Sequence, residues 1–317
     1  MKNLTRADAA EFLKHRDHFV ILTHVRPDGD TVGSAAALCL GLRSLGKTAH
    51  VLRNPGVTQR YAWLHEGLTV ETVGQEDTVV STDVASPGML PPEFQYLLGR
   101  VALRIDHHGS ATSFSDLELV DPNSASCAEV VWDVLACMGV SPEPRLMDAL
   151  YVGLSTDTGC FRFANTTAHT FRVAAACAQY GARVFELNQQ LFETNTLGKL
   201  KMQGWIVENM HLLGNNTMAI CAIPKAVEEK LGVSSDDMDN ISNFPRTVAG
   251  VNVAATLREA EGGIVKLSVR AVPGYDATKI AEPFGGGGHK GAAGGTMHMT
   301  MDEAAKAVEK VMLEQCQ

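Results

Sequence analysis

Basic residues are what this sequence can least spare: 27 Lys and Arg stand against 36 Asp and Glu, a formal net charge of −9 over 317 residues. Long nucleic acid is held by neutralising phosphates along a basic face, so the deficit argues against that class of partner. Short anionic substrates stay open, because bound divalent cations add positive charge that a residue count omits. Cysteines are odd in number and scattered, seven at positions 39, 127, 137, 160, 177, 221 and 316, with no CxxC pair. That pattern excludes a disulfide framework and suits reduced thiols in a cytoplasmic protein. No stretch is long and apolar enough to span a bilayer, and the amino terminus lacks the charged-then-apolar pattern of a secretory signal. A GxSxG motif is missing too, and no cysteine stands in an activating context, so serine and cysteine nucleophile schemes fall away.

What is present is a globular composition, 45% apolar and 20% charged, in a chain long enough for two cores. Short apolar strands at 19–23, 48–52, 78–82 and 101–105 alternate with helices at 31–45, 125–138, 144–157 and 167–180. This predicts an α/β fold, a mostly parallel sheet with helices on both faces. From about Thr194 the pattern changes to a connecting helix at 197–212 and longer strands at 218–223, 248–257 and 264–269. Helices at 224–231 and 301–314 complete a smaller α+β domain. The expected division is a catalytic domain at 1–194, a helical linker at 195–212 and a substrate-binding domain at 213–317, with an active-site cleft between the two domains. The surplus of acid lies in the first part, 15 basic against 22 acidic residues through position 195 and 12 against 14 afterwards.

Acids and histidines recur just past the apolar runs, where open α/β sheets place their ligands. His24-Val25-Arg26-Pro27-Asp28-Gly29-Asp30 sets two carboxylates two residues apart in a loop after a strand. Those carboxylates could equally cap the helix that follows, but the nearby His24 favours ligation. Asp83 ends the third strand, a position where a lone Asp is more often a turn residue or helix cap. Arg104-Ile105-Asp106-His107-His108 ends the fourth, and since adjacent side chains diverge, one histidine is expected to face the metals and the other to meet substrate or to support the ligands from behind. Asp157 lies in Gly153-Leu154-Ser155-Thr156-Asp157-Thr158-Gly159 at a helix C-terminus, where a carboxylate is unfavourable unless a cation sits nearby. Mixed His and Asp ligands suit a first-row divalent ion such as manganese. Phe284-Gly285-Gly286-Gly287-Gly288-His289 is the remaining motif. Its bare backbone N–H groups are expected to form a structured nest for anions rather than a flexible linker, with Arg270 and His289 as charged partners.

Together these motifs resemble the DHH phosphoesterase family. HVRPDGD, the Asp83 strand end, IDHH and STDTG are similar in order to its catalytic domain, and GYDATKIAEPFGGGGHKGAAGG to its associated substrate-binding domain of the first type. The Ser81-Thr82 lead into Asp83 departs from the more apolar approach expected there. The resemblance implies two divalent ions, manganese with magnesium as the alternative. It places one at His24, Asp28 and Asp83 and the other at Asp30, Asp83, His107 and Asp157, with Asp83 bridging. His108 would contact the scissile phosphate and Asp106 orient its neighbours. Gly286, Gly287, Gly288, His289 and Arg270 would hold the substrate's phosphates. The branch it resembles implies hydrolysis of short oligoribonucleotides, linear dinucleotides such as pApA, or 3′-phosphoadenosine 5′-phosphate. Inorganic pyrophosphatase, cyclic dinucleotide phosphodiesterase and a nucleotide-binding regulator are the competing readings. A homodimer is compatible with the sequence.

Overall fold

A computed structural model describes residues 3–109, 112–234, 236–238 and 241–316. The chain forms two compact units, Met1–Thr194 and Asn195–Gln317.

The first unit is built on a six-stranded sheet of β1 (Phe19–Leu22), β2 (Ala49–Leu52), β3 (Thr69–Val70), β4 (Thr78–Thr82), β5 (Val101–Asp106) and β6 (Leu117–Val120). Their order is β3-β2-β1-β4-β5-β6, and every neighbouring pair is parallel. Parallel strands buried on both faces read as continuous apolar runs, as Phe19-Val20-Ile21-Leu22 does. Alternate residues feed two cores. Phe19, Ile21, Val51, Val80 and Leu103 join the core packed by α1 (Arg6–Lys14), α2 (Gly29–Ser44), α3 (Cys127–Met138), α4 (Pro144–Asp157), α5 (Ala168–Gln179) and α6 (Val184–Asn188). Val20, Leu22, Leu52 and Val79 face a smaller core with Leu90, Phe94 and Leu97, from the tight turns and short helix that follow β4. Both faces are therefore covered, one by α-helices and the other largely by 3₁₀ structure.

The reading of Gly29 as a loop residue is corrected by the structure. Helix α2 begins at Gly29, with Asp28 as its N-cap accepting hydrogen bonds from the Asp30 and Thr31 amides, both at 3.1 Å. Gly29 and Gly33 are where α2 meets α4. A Cβ on Gly29 would strike the Thr156 side chain, and one on Gly33 the Ala149 carbonyl. This close approach brings the start of α2 beside the end of α4.

The second unit carries a mixed sheet of β7 (His211–Leu213), β8 (Met218–Ile223), β9 (Val253–Ala260), β10 (Ile264–Ala271), β11 (Gly287–His289) and β12 (Ala292–Met297), in the order β11-β12-β10-β9-β8-β7. Only β8 and β9 run parallel among these pairs. Helices α7 (Leu197–Asn209), α8 (Lys225–Leu231), α9 (Thr278–Ala281) and α10 (Met301–Gln315) accompany it. The helix read as a linker is built into this unit: Met202 and Ile206 of α7 are buried with Cys221, Ile223, Met238 and Ile241. The strand expected at 248–257 runs instead over Val253–Ala260, because the Val251 amide closes a turn onto the Val248 carbonyl and pairing with β8 starts only at Val253. The glycine-rich segment is the other difference. Part of it, Gly287–His289, is not a loop nest but a short strand, β11, at the sheet edge.

Candidate metal centre

Strand ends and helix ends of the first unit bring His24, Asp28, Asp30, Asp83, His107, His108 and Asp157 together. Their donor atoms form three overlapping groups: His24, Asp28 and Asp83; Asp30, His107 and Asp157; Asp83, His107 and His108. Within each group all donor atoms lie within 4.8 Å of one another. His24 Nε2 is 3.7 Å from Asp28 Oδ1 and 3.6 Å from Asp83 Oδ2. His107 Nε2 is 3.3 Å from Asp157 Oδ2, 3.6 Å from Asp83 Oδ1 and 3.7 Å from Asp30 Oδ2. Asp83 faces both histidines, one with each oxygen.

Hydrogen bonds within the protein orient several of these donors. Asp30 is buried and caps helix α3, accepting from the Cys127 amide at 2.6 Å and the Ala128 amide at 2.9 Å. His107 Nδ1 lies 3.3 Å from the Ser124 carbonyl; since a carbonyl only accepts, that nitrogen carries the proton and Nε2 turns a lone pair inward. Asp106 points elsewhere: its Oδ1 accepts from the His107 and His108 amides at 2.7 and 3.2 Å and lies 2.9 Å from His108 Nδ1. It belongs to none of the three donor groups and instead fixes the turn that carries both histidines. Asp83 sits at φ +60°, a left-handed conformation uncommon for a residue with a side chain. Reasoning from sequence missed the supporting residues. Asn54 donates to the His24 carbonyl at 2.8 Å, and Asn165 donates to the Asp157 and Ala125 carbonyls at 3.1 and 2.9 Å. Only Arg104, a charge inside an apolar strand, carried a signal that could have been seen.

The electrostatics say what such a group lacks. Burial, then the charge of Asp28, pushes Asp30 up to about 7. Burial and the charges of Asp30 and Asp28 raise Asp83 and Asp157 well above the usual carboxylate range. Burial lowers His107, keeping it neutral, while His108 rises to about 9 against the pull of burial, because Asp106 and Asp83 face it. Crowded, desolvated carboxylates are stable as anions only beside a cation. Asp83 Oδ1, buried and without a hydrogen bond, is the atom that most needs one. Two ligands roughly 2.1 Å from one ion at near-tetrahedral or octahedral angles sit about 3.0–3.4 Å apart, so the observed spacings need little adjustment. The donor set fits two divalent ions.

In the second unit, Arg270 of β10 and His289 of β11 both pair in register with Ala292 of β12, so they share one face of the sheet. Arg270 Nε donates to Asn243 Oδ1 at 2.7 Å. The glycines differ in why they are there. A Cβ on Gly286 would strike the Gly294 carbonyl, and Gly288 sits at φ +145° with the Ala292 carbonyl 2.5 Å from where its Cβ would lie. Gly287 has open space around it.

The order of these motifs along the chain matches two family models, the DHH family N-terminal domain over residues 18–154 and the DHHA1 domain over 215–314. The chain belongs to the DHH family of phosphoesterases. It is 33% identical to the bifunctional oligoribonuclease and PAP phosphatase NrnA of Thermus thermophilus, over 93% of this chain and 89% of that one. Identity to the protein of the same name from Bacillus subtilis is 27%, over 91% of each. An exopolyphosphatase-related protein from Bacteroides fragilis shares the fold at a TM-score of 0.85 and 24% identity, with 98% of this chain and 96% of that one covered. Exonuclease RecJ, solved with manganese, is a more distant fold match at a TM-score of 0.52 and 16% identity, covering 99% and 96%.

Proposed function

We propose that the chain hydrolyses short oligoribonucleotides and linear dinucleotides, and releases the 3′-phosphate of 3′-phosphoadenosine 5′-phosphate, at two divalent cations held in its first unit. The observation that carries this reading is the meeting of a His24 donor group and a His107 donor group at Asp83. The names of the Thermus and Bacillus relatives support the substrate class. Manganese suits the mixed His and carboxylate set, with magnesium the alternative. His24, Asp28 and Asp83 would hold one ion, and Asp30, Asp83, His107 and Asp157 the other.

When bound, such a pair lowers the pKa of a water and neutralises charge developing on phosphoryl oxygens. The chain's own groups supply the rest. Asp106 occupies His108 Nδ1, which leaves Nε2–H to donate to a phosphoryl oxygen. The α3 amides hold the Asp30 carboxylate so that it need not reorganise as charge develops. In the second unit Arg270, His289 and the backbone of Gly286, Gly287 and Gly288 would take a further phosphate of the substrate. With so few phosphate contacts and an acidic chain, rates should fall steeply beyond about five nucleotides and depend weakly on salt. The seven free cysteines fit a cytoplasmic setting, and a homodimer is compatible with this scheme.

The test is a panel of pAp, pApA, cyclic di-AMP, RNA of two to five nucleotides, a 20-mer and pyrophosphate. Each is compared by kcat/KM with manganese, with magnesium and after chelation. Preference for the dinucleotide and pAp, lost on chelation, is the expected result. Equal turnover of dimer and 20-mer, or preference for pyrophosphate, would overturn the reading.

A further inference from the structure

Arg104 is the largest side chain that the first unit buries completely, 1% exposed on β5, two residues before Asp106. Burying a guanidinium is costly, and apolar side chains of similar volume usually stabilise as well or better. Its ion pair with Glu118 at 3.2 Å accounts for only one end of the fork. The other end does something different. Nη1 donates to the Ala85 carbonyl at 3.2 Å and to the Thr112 carbonyl at 3.0 Å. Ala85 lies two residues beyond Asp83, and Thr112 four beyond His108. The two segments also touch directly, since the Thr112 amide donates to the Ala85 carbonyl at 2.8 Å. The Phe114 ring lies 5.3 Å from the guanidinium and helps to hold it there.

A left-handed residue with a side chain persists only where its surroundings over-determine it. Asp83 is such a residue, fixed on its amide side by a 2.9 Å bond to the Ile105 carbonyl. The chain leaving it is fixed at Ala85. We infer that Arg104 is a positioning residue for the metal centre, a buried cation that ties the segment after Asp83 to the segment after His107 and His108, so that the two ligand-bearing turns are held in one geometry. The inference rests on the two-cation reading above. Arg104 touches neither the donor atoms nor substrate; it acts through the turns.

The experiment compares wild type with Arg104→Met and Glu118→Gln, using manganese alone as the probe. Folding is checked by circular dichroism and binding is measured by calorimetry on chelator-treated protein. Arg104→Met should weaken manganese binding about 10- to 100-fold, the usual effect of removing a group that orients metal ligands. Its KM for a dinucleotide should stay near wild type, and raising manganese should restore kcat. Glu118→Gln removes the ion pair but leaves both carbonyls bridged, so it should cost stability without changing manganese affinity. If Arg104→Met does not fold, Arg104→Lys keeps a cation beside Glu118, but its single nitrogen cannot also reach both carbonyls as Nη1 does, and it should show the same loss of affinity. Unchanged manganese affinity in a folded Arg104 variant would overturn the proposal while leaving the metal reading intact. An equal loss in Glu118→Gln would overturn it too, by assigning the effect to the ion pair. Wild type that takes up no manganese would remove the metal reading, and this inference with it.

Discussion

In the proposed scheme the two units meet opposite demands in holding an anionic substrate. In the first, His24, Asp30 and Asp83 are 6%, 1% and 2% exposed, with Asp30 held by two backbone amides, so the donors are buried and the carboxylates mutually repulsive. In the second, Gly287, Gly288 and His289 are all exposed on an edge strand, so the donors are wet, and two of the three have no side chain. A small ion rewards the first arrangement, because its ligands must converge on a point. A phosphate or base edge rewards the second, because bare backbone lets a larger group approach. Among the described residues, the metal-competent donor groups all fall in the first unit.

The sharpest way to break the contrast is to remove its shared atom pair. Asp83→Ala should lower kcat on the order of a thousand-fold or more and reduce the number of bound ions, whereas Asp106→Ala should retain more metal. Asp83→Ala protein that keeps two tightly bound ions and near-normal turnover would show that Asp83 does not bridge. His289→Ala is the counterpart in the second unit. Losing one charged-group hydrogen bond should cut kcat/KM for nucleotides about ten- to a hundred-fold while manganese content stays unchanged. If His289→Ala stripped manganese instead, the separation of roles would fail.

Packing sharpens the comparison further. Gly153 is not a donor, yet a Cβ there would lie 2.8 Å from Asp30 Oδ1 and 2.5 Å from the Ala128 Cβ. Gly153→Ala should cost about 1–3 kcal/mol in stability and weaken manganese binding as Asp30 is pushed aside. In the second unit Gly287→Ala meets open space, and both stability and fold should be unaffected, as thermal unfolding would report.

A further effect expected is one of pH on the first unit, and it runs through a histidine that is no ligand. His65 is buried with Nε2 3.1 Å from the Val32 carbonyl, and burial lowers it to about 4. Below the unfolded value near 6.5 the unfolded chain takes up a proton that the folded chain refuses. Stability therefore falls as pH drops through 6.5 and stops falling below about 4. The loss should reach about 2 kcal/mol at pH 5. Denaturant titrations of metal-free His65→Gln at pH 7 and pH 5 should lack that increment; an unchanged pH dependence would remove His65 as its source.

How much was legible in advance depended on how local the cause was. Strand and helix runs in the first unit are set by apolar periodicity within a few residues, and the acids at their ends could be named without knowing the fold. Asp28 has both of the roles its sequence position allows, because its carboxylate caps α2 while also facing His24. Four consecutive glycines before His289 suggest a nest, because their bare N–H groups suit anions; pairing with β12, a partner supplied by the rest of the sheet, makes a strand of Gly287–His289.

The sequence by itself determined the chemistry on offer: an acidic chain without a nucleophile motif, carrying His and Asp at strand ends and bare backbone before His289. Only the tertiary structure decided which of those groups share a site and in which direction each points. The Asp30 carboxylate is aimed by amides 97 and 98 residues away at the start of α3, and His107 by a carbonyl 17 residues on. Arg104 joins turns that no local pattern connects. Ligand identity is a property of residue type, but ligand geometry is a property of long-range hydrogen bonds and close helix packing, and those exist only once the chain has folded.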